Sequence, residues 1–296
     1  MHARKKRAAL ANRIENREFV VAPGVYDMIS AKIADSMSFH ALYMSGYGVA
    51  ASHLGLPDAG LASFADVCER VRVLAQGTKT PLICDADTGF GGLLNVRHTI
   101  RGFEAAGCAA VQIEDQISPK KCGYTAGCQV IAVDEMVQKL KVALDARHDD
   151  KLLIIARTDA RGELGLAEAI VRGQAYANAG ADVVFVQAPE SVEELEQIAR
   201  AIDTPLLVNL GHGGKTPVLP AEQLEKIGYA IAIYPGIPML AATASLESVY
   251  STLARDGDSL HVSVPRYDFD AMHRLMGFEE VWAFEDQWTS EEDSEP

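Results

Sequence analysis

Short, almost unbroken apolar runs recur along the chain at 19–22, 41–45, 81–85, 110–114, 152–157, 181–187, 205–209 and 230–234, each rich in Val, Ile and Leu. Apolarity without polar alternation is what a strand buried on both faces requires. Between the runs lie amphipathic stretches, such as 63–76, 95–106, 133–146 and 166–179, that read as helices. Gly77, Gly107 and Gly180 stand where helix C-caps before the next strand are expected. Eight such units fill residues 18–256, close to the roughly 250 residues of a closed (β/α)8 barrel. An open doubly wound sheet competes, but no Gly-x-Gly-x-x-Gly follows the first run, and eight is the closing number. The expected fold is therefore α/β, a (β/α)8 TIM barrel over 1–256. Residues 257–296 form a C-terminal helical extension and acidic tail of the same domain. The stretch 261–288 carries Phe269, Met272, Leu275, Met276, Phe278, Trp282 and Phe284, so it must pack on the barrel or on another subunit.

Charge narrows the partners. Lys+Arg is 27 against Asp+Glu 41, a net charge of −14, which repels a polyanion and makes nucleic acid a poor partner. No apolar stretch is long enough for a membrane span. The basic start, MHARKKRAAL, has no apolar core behind it and does not read as a secretion signal. A soluble cytoplasmic protein is expected. The five cysteines are odd in number and contain no Cys-x-x-Cys, so neither a disulfide framework nor a structural zinc site is indicated.

In a barrel the chemistry gathers at the C-terminal ends of the strands, so the residues that end each run matter most. They are Ser45-Gly46-Tyr47-Gly48, Asp85-Ala86-Asp87, Gln112-Ile113-Glu114, Arg157-Thr158-Asp159, Gln187 and Asn209. Asp85, Asp87 and Glu114 look like a site for a hard divalent cation. Oxygen ligands without histidine favour Mg2+, with Mn2+ as a substitute. Asp85 and Asp87, at i and i+2, are expected to point the same way and share the ion. Arg157 is the planar counter-charge for a carboxylate. Ser45, Gly46 and Tyr47 offer N–H and hydroxyl groups to a substrate carboxylate. The long loop 118–129 reads as a lid with hinges at Gly123 and Gly127. On it, Cys122 follows Lys120 and Lys121, which are expected to favour its thiolate.

Together the motifs Asp85-Ala86-Asp87-Thr88-Gly89-Phe90-Gly91, Glu114-Asp115-Gln116, Lys120-Lys121-Cys122-Gly123 and Ala156-Arg157-Thr158-Asp159 resemble the isocitrate lyase/phosphoenolpyruvate mutase superfamily. The Lys-Lys-Cys-Gly loop resembles its lyase branch, which includes 2-methylisocitrate lyase, 2,3-dimethylmalate lyase and oxaloacetate hydrolase. The resemblance implies a barrel with C-terminal helices exchanged between subunits, and a homotetramer built as a dimer of helix-swapped dimers. It implies that Asp85, directly or through water with Asp87 and Glu114, holds Mg2+. It places Ser45, Gly46, Tyr47, Lys121, Gly123, Tyr124, Gln187 and Asn209 on the substrate. Cys122 would protonate the leaving carbanion, Arg157 would face the substrate oxygens, and Asp58 matches a position near the site. Three positions depart from the lyase pattern: Tyr124 replaces the usual His, Gln187 replaces a Glu, and Leu210-Gly211-His212-Gly213 replaces a stretch that often bears a Glu. Such changes imply an altered substrate or proton path. The implied reaction is retro-aldol cleavage of a 2-hydroxy di- or tricarboxylic acid to an α-keto acid (pyruvate or glyoxylate) and a carboxylic acid. Oxaloacetate decarboxylase or hydrolase action is the alternative, followed by phosphonate C–P chemistry.

Overall fold

A computed structural model describes residues 3–125, 127–211 and 213–289. His212 and the acidic stretch 290–296 lie outside the described residues. Eight parallel strands close into a barrel in chain order. They are β1 (Val20–Val25), β2 (Leu42–Met44), β3 (Leu82–Asp85), β4 (Ala110–Glu114), β5 (Leu153–Thr158), β6 (Val183–Val186), β7 (Leu206–Asn209) and β8 (Tyr229–Tyr234). Closure runs from β8 back to β1, with Val20 opposite Ile231 and Pro23 opposite Tyr234. All eight apolar runs are strands. The helices are α1 (Ala3–Glu15), α2 (Met28–Asp35), α3 (Gly46–Val49), α4 (Phe64–Gly77), α5 (Leu93–Ala106), α6 (Val133–Ala146), α7 (Ala160–Asn178), α8 (Val192–Ala201), α9 (Ala221–Ile227), α10 (Ile237–Asp256), α11 (Phe269–Met276) and α12 (Phe278–Thr289).

Two cores explain why the runs are apolar on both faces. Outward residues such as Leu42, Cys84, Ile113, Ile154 and Val184 pack against the helical ring. Inward residues such as Tyr43, Ile83, Ile155, Phe185 and Ile233 fill the barrel. That inner core also contains Leu10, Ala11 and Ile14 of α1, so the first helix plugs the bottom of the barrel. Its basic residues are part of the plug. Lys6 Nζ donates to the Ala75 and Thr78 carbonyls, both at 2.6 Å. Arg7 Nε donates to the Cys108 carbonyl at 2.9 Å, and Arg7 Nη1 pairs with Asp149 at 3.2 Å. These carbonyls end α4 and α5, where the helix dipole favours a cation.

Gly107 and Gly180 adopt left-handed φ of 106° and 99° after their helices, as expected. Gly77 does not: it is the last residue of α4, and Thr78 is the cap. A Cβ there would meet only the end of the flexible Met28 side chain. Helix α7 starts at Ala160 instead of 166 and is interrupted at Gly165, where φ is 84°.

The chain divides into two compact units, Met1–Leu240 and Ala241–Pro296. The division falls within α10. The first unit holds the barrel and the cavity described below. The second holds the rest of α10 with α11 and α12, where Phe269, His273, Phe278 and Trp282 form a chain of ring contacts.

Candidate active site

A cavity of about 210 Å³ opens at the C-terminal end of the barrel. That is about seven water volumes at roughly 30 Å³ each, the scale of a small carboxylic acid. Most of the expected residues line it: Ser45, Tyr47, Asp58, Asp85, Cys122, Gly123, Tyr124, Arg157, Gln187 and Asn209. Gly46, Lys121, Asp87 and Glu114 do not. Gly46 lies directly behind Asp85, where a Cβ would come 2.9 Å from Asp85 Oδ2. Asp87 and Glu114 sit behind the wall in ion pairs. Lys121 is a correction: its side chain is exposed, and only its backbone is engaged at the site.

Asp85 is aimed by a buried relay that the sequence reading missed. Tyr43 Oη donates to Gln112 Oε1 at 2.9 Å, and Gln112 Nε2 donates to Asp85 Oδ1 at 3.1 Å. The Asp87 backbone N–H donates to the same oxygen at 3.1 Å. Both Tyr43 and Gln112 lie on strands and face inward, so the period of two was the available signal. Burial, then the nearby Asp85, pushes the Tyr43 phenol well above its ordinary range.

Asp85 and Asp87 approach one point, with Asp85 Oδ2 2.9 Å and Asp87 Oδ1 3.4 Å from where a Gly46 Cβ would stand, but strand alternation is not what brings them there. β3 ends at Asp85, and Asp87 takes a left-handed φ of 48°, so strand alternation no longer applies. Its Oδ1 pairs with Lys120 Nζ at 2.7 Å, and Lys120 also holds Asp58 Oδ1 at 2.5 Å. Burial pushes the Asp87 carboxyl up to about 6, with Lys120 opposing. Burial works against the Lys120 ammonium too, yet Asp87, Glu114, Asp85 and Asp58 hold it above its usual range. Glu114 pairs with Arg157 Nη1 at 3.1 Å, and Arg157 Nη2 pairs with Asp159 at 2.7 Å. The Arg157 guanidinium lies 5.3 Å from the Phe185 ring centre.

Among the described residues, no three His, Cys, Asp or Glu side chains form a direct ligand set for one ion. A hydrated hard cation nevertheless fits. Asp85 is the carboxylate of the expected trio that reaches the cavity. Both Glu114 oxygens are buried and accept no hydrogen bond, and burial raises that carboxyl strongly, with Arg157 opposing. Asp58, Asp85, Asp87, Glu114 and Asp159 stand against Lys120 and Arg157. Five carboxyl groups against two cations leave an acidic surplus that favours a bound dication. Mg2+ commonly takes one or two carboxylates and keeps its waters, which matches Asp85 as the direct ligand with Asp87 and Glu114 behind.

The loop after β4 closes over this floor. Gln116 and Val130 form an antiparallel bridge, and the Ile117 N–H donates to the Gln129 carbonyl at 2.8 Å. Cys122 N–H donates to the Asp58 carbonyl at 3.0 Å, which sets the thiol on the cavity wall. The expected thiolate is corrected: burial pushes the Cys122 thiol up, and Arg157 and Lys120 do not overcome it. Lys120 is occupied by Asp58 and Asp87, and Lys121 points to solvent. A protonated thiol is the form that can give a proton. Tyr124 Oη donates to the Asn209 carbonyl at 3.3 Å, and Asn209 Nδ2 approaches Gln187 Oε1 at 3.4 Å. The departures at Tyr124 and Gln187 thus share one neutral stretch of wall.

A buried hub ties β4 to β5 beneath the site, which sequence patterning also missed. Asp115 accepts from Thr158 Oγ1 at 2.7 Å, Asp159 N at 2.9 Å, Tyr176 Oη at 2.7 Å and Arg172 Nη1 at 3.1 Å.

A family model described as phosphoenolpyruvate phosphomutase matches residues 10–254. The chain is 40% identical over 274 residues to 2,3-dimethylmalate lyase of Eubacterium barkeri, covering 93% of this chain and 95% of that one. It is 40% identical over 269 residues to 2-methylisocitrate lyase of Aeropyrum pernix, covering 91% and 86%. A solved structure of oxaloacetate acetylhydrolase with 3,3-difluorooxalacetate superposes with a TM-score of 0.91 at 30% identity, over 97% of this chain and 98% of that one. A closed eight-stranded barrel, a matching family model over most of its length and near-full-length relatives at this identity make one conclusion plain: the chain belongs to the phosphoenolpyruvate mutase/isocitrate lyase superfamily.

Proposed function

We propose that this protein is a Mg2+-dependent carbon–carbon lyase that cleaves a 2-hydroxy dicarboxylic acid of the 2,3-dimethylmalate type into pyruvate and a second carboxylic acid. The carrying observation is the cavity itself, which sets Asp85 and Arg157 on one arc of the barrel end and the Cys122 thiol on the loop above them. The opposite arc, at the ends of β7 and β8, offers Gly211, Pro235, Met239 and Leu240 and no cation among the described residues. That wall suits the methyl groups of a dimethylmalate better than the third carboxylate of a 2-methylisocitrate. The relatives named as lyases of both substrates support the reaction class.

The chemistry balances with this chain's own groups. The C2 hydroxyl proton passes to the Asp58 carboxylate on the cavity wall, and rupture of the C2–C3 bond turns C2 into the keto carbon of pyruvate and leaves the bonding pair on C3. When bound, Mg2+ supplies Lewis acidity that draws charge from the hydroxyl and keto oxygens. Ser45 Oγ accepts from the Gly48 N–H at 3.2 Å, so its own proton can be donated to the substrate carboxylate. Arg157 faces the carboxylate on C3, where charge grows as the bond breaks, and preorganised donors of this kind are typically worth about 10²–10³ in rate. Cys122 returns a proton to C3, giving propionate from dimethylmalate. The closed loop keeps bulk water from the carbanion.

A second reading, oxaloacetate hydrolysis, is favoured by one observation, the superposition on oxaloacetate acetylhydrolase. A panel of 2,3-dimethylmalate, 2-methylisocitrate and oxaloacetate with Mg2+ separates the two. We expect pyruvate, with dimethylmalate the best substrate. Oxalate plus acetate from oxaloacetate, with no pyruvate from the hydroxy acids, would establish the second reading instead.

We also propose a cytoplasmic homotetramer of helix-exchanged dimers. Among the described residues, no helix is long and apolar enough to cross a membrane. α11 and α12 have no buried residue despite Phe269, Phe278, Trp282 and Phe284, which supports a cover supplied by another copy. Light scattering on the purified protein tests the oligomer.

A further inference from the structure

Gln116 lies just past the end of β4 with 1% of its surface exposed, and the reaction outlined above does not use it. Both ends of its amide are engaged. The Lys121 N–H donates to Gln116 Oε1 at 3.0 Å, and Gln116 Nε2 donates to the Lys121 carbonyl at 2.9 Å. One side chain thus satisfies both backbone groups of one residue, as a neighbouring strand would, five positions along the loop. The next residue is Cys122, whose N–H is held by the Asp58 carbonyl at 3.0 Å. On the other side Lys120 is pinned to Asp58 and Asp87. Gln116 is itself anchored by its bridge to Val130. Resting on the lyase reading, we propose that Gln116 is a positioning residue for the reaction: its amide clamps Lys121 so that the Cys122 thiol stands at the carbanion.

The donor and acceptor requirement is specific. A glutamate could accept from the Lys121 N–H, but its second oxygen would face the Lys121 carbonyl and repel it. A methionine would fill the space and satisfy neither group, leaving two part-buried backbone groups without their side-chain partner. Because proton delivery depends on placement within about 1 Å, loss of the clamp is expected to lower kcat by roughly 10²-fold. KM should stay within about threefold, because the Asp85 and Arg157 arc is untouched.

The test compares Gln116→Met and Gln116→Glu with the wild-type chain by steady-state kinetics on 2,3-dimethylmalate and by limited trypsin digestion. Trypsin reads the clamp independently of activity, since it cuts after Lys120 or Lys121 only when that backbone is free. We expect nicking at 120–122 to accelerate about tenfold or more. We also expect Gln116→Met to cost almost nothing further in a Cys122→Ser background, because both changes remove the same proton delivery. Full additivity with Cys122→Ser, or unchanged kcat and nicking, would overturn the proposal. Faster nicking in a protein that cleaves no hydroxy acid would support the clamp and overturn the lyase reading. Binding of oxalate with Mg2+ to each variant, followed by thermal shift, confirms that the barrel is folded; a variant that binds oxalate as the wild type does while losing kcat supports the positioning role.

Discussion

Gly123→Ala is the most demanding perturbation that the closed loop allows. An ideal Cβ at 123 would overlap Arg157 Nη2 and lie 2.6 Å from Asp159 Oδ1 and 2.9 Å from Gln187 Cγ. Ordinary contact for such atoms begins near 3.5 Å, so something must move by about 1 Å. Arg157 and Asp159 are buried and bound to one another at 2.7 Å, with Glu114 on the other side of the guanidinium. The loop is the softer partner and is expected to lift. Gly123 is outside the left-handed φ region, so backbone strain adds nothing and the effect isolates space. A displacement of about 1 Å between proton donor and reacting carbon costs on the order of 10²-fold in rate, which is about 2.7 kcal/mol of transition-state stabilisation. The substitution should barely touch stability. We expect a melting temperature within about 3 °C of wild type, the shift that about 1 kcal/mol produces in a chain of this size. The assay is kcat/KM for 2,3-dimethylmalate with Mg2+, alongside a thermal melt. Activity near the wild-type value would refute the reasoning, because it would mean that the loop does not close against Arg157 during turnover.

Four further outcomes are expected. Cys122→Ser should lower turnover roughly 10²–10⁴-fold while oxalate still binds, which calorimetry can check. Because burial raises the Cys122 thiol above its ordinary value, the proton-donating form persists through neutral pH. Turnover should therefore fall only on an alkaline limb above the usual thiol range, and Cys122→Ser should lack that limb in a pH–rate profile. Asp85→Ala should remove Mg2+ binding, followed by titration calorimetry, together with activity; a variant that still responds to added Mg2+ would exclude Asp85 as the ligand. Leu10→Ala, in the plug that closes the barrel bottom, should destabilise the fold by about 2–5 kcal/mol, seen as a lower denaturant midpoint with kcat unchanged.

The strands were legible because burial on both faces erases polar alternation: Ile154 faces the helices and Ile155 faces the barrel, so both must be apolar. The residues at their ends were legible for the complementary reason, since Asp85, Glu114 and Arg157 are charges in nearly fully buried positions. What escaped depended on three-dimensional partners. The basic α1 looks like a solvated start until Lys6 and Arg7 meet carbonyls about seventy to one hundred residues away. Lys120 and Lys121 are adjacent in sequence, yet one is buried between two carboxylates and the other is in solvent. No local pattern separates them, and the expectation of a lysine-stabilised thiolate at Cys122 failed on that point. The pairing of Asp87 with Lys120 was hidden because one left-handed φ ends the strand period at that residue. Tyr43 and Gln112 were hidden because a polar inward residue on a strand shows its purpose only when its neighbour across the barrel is known.

Cleavage of 2,3-dimethylmalate in D2O with Mg2+, followed by NMR, tests the central chemistry in one tube. The proposed mechanism requires pyruvate and propionate in equal amounts, with a single deuterium at C2 of the propionate in one configuration, as a thiol fixed above one face of the carbanion would deliver it. Absence of propionate, or label scrambled over both configurations, would contradict it.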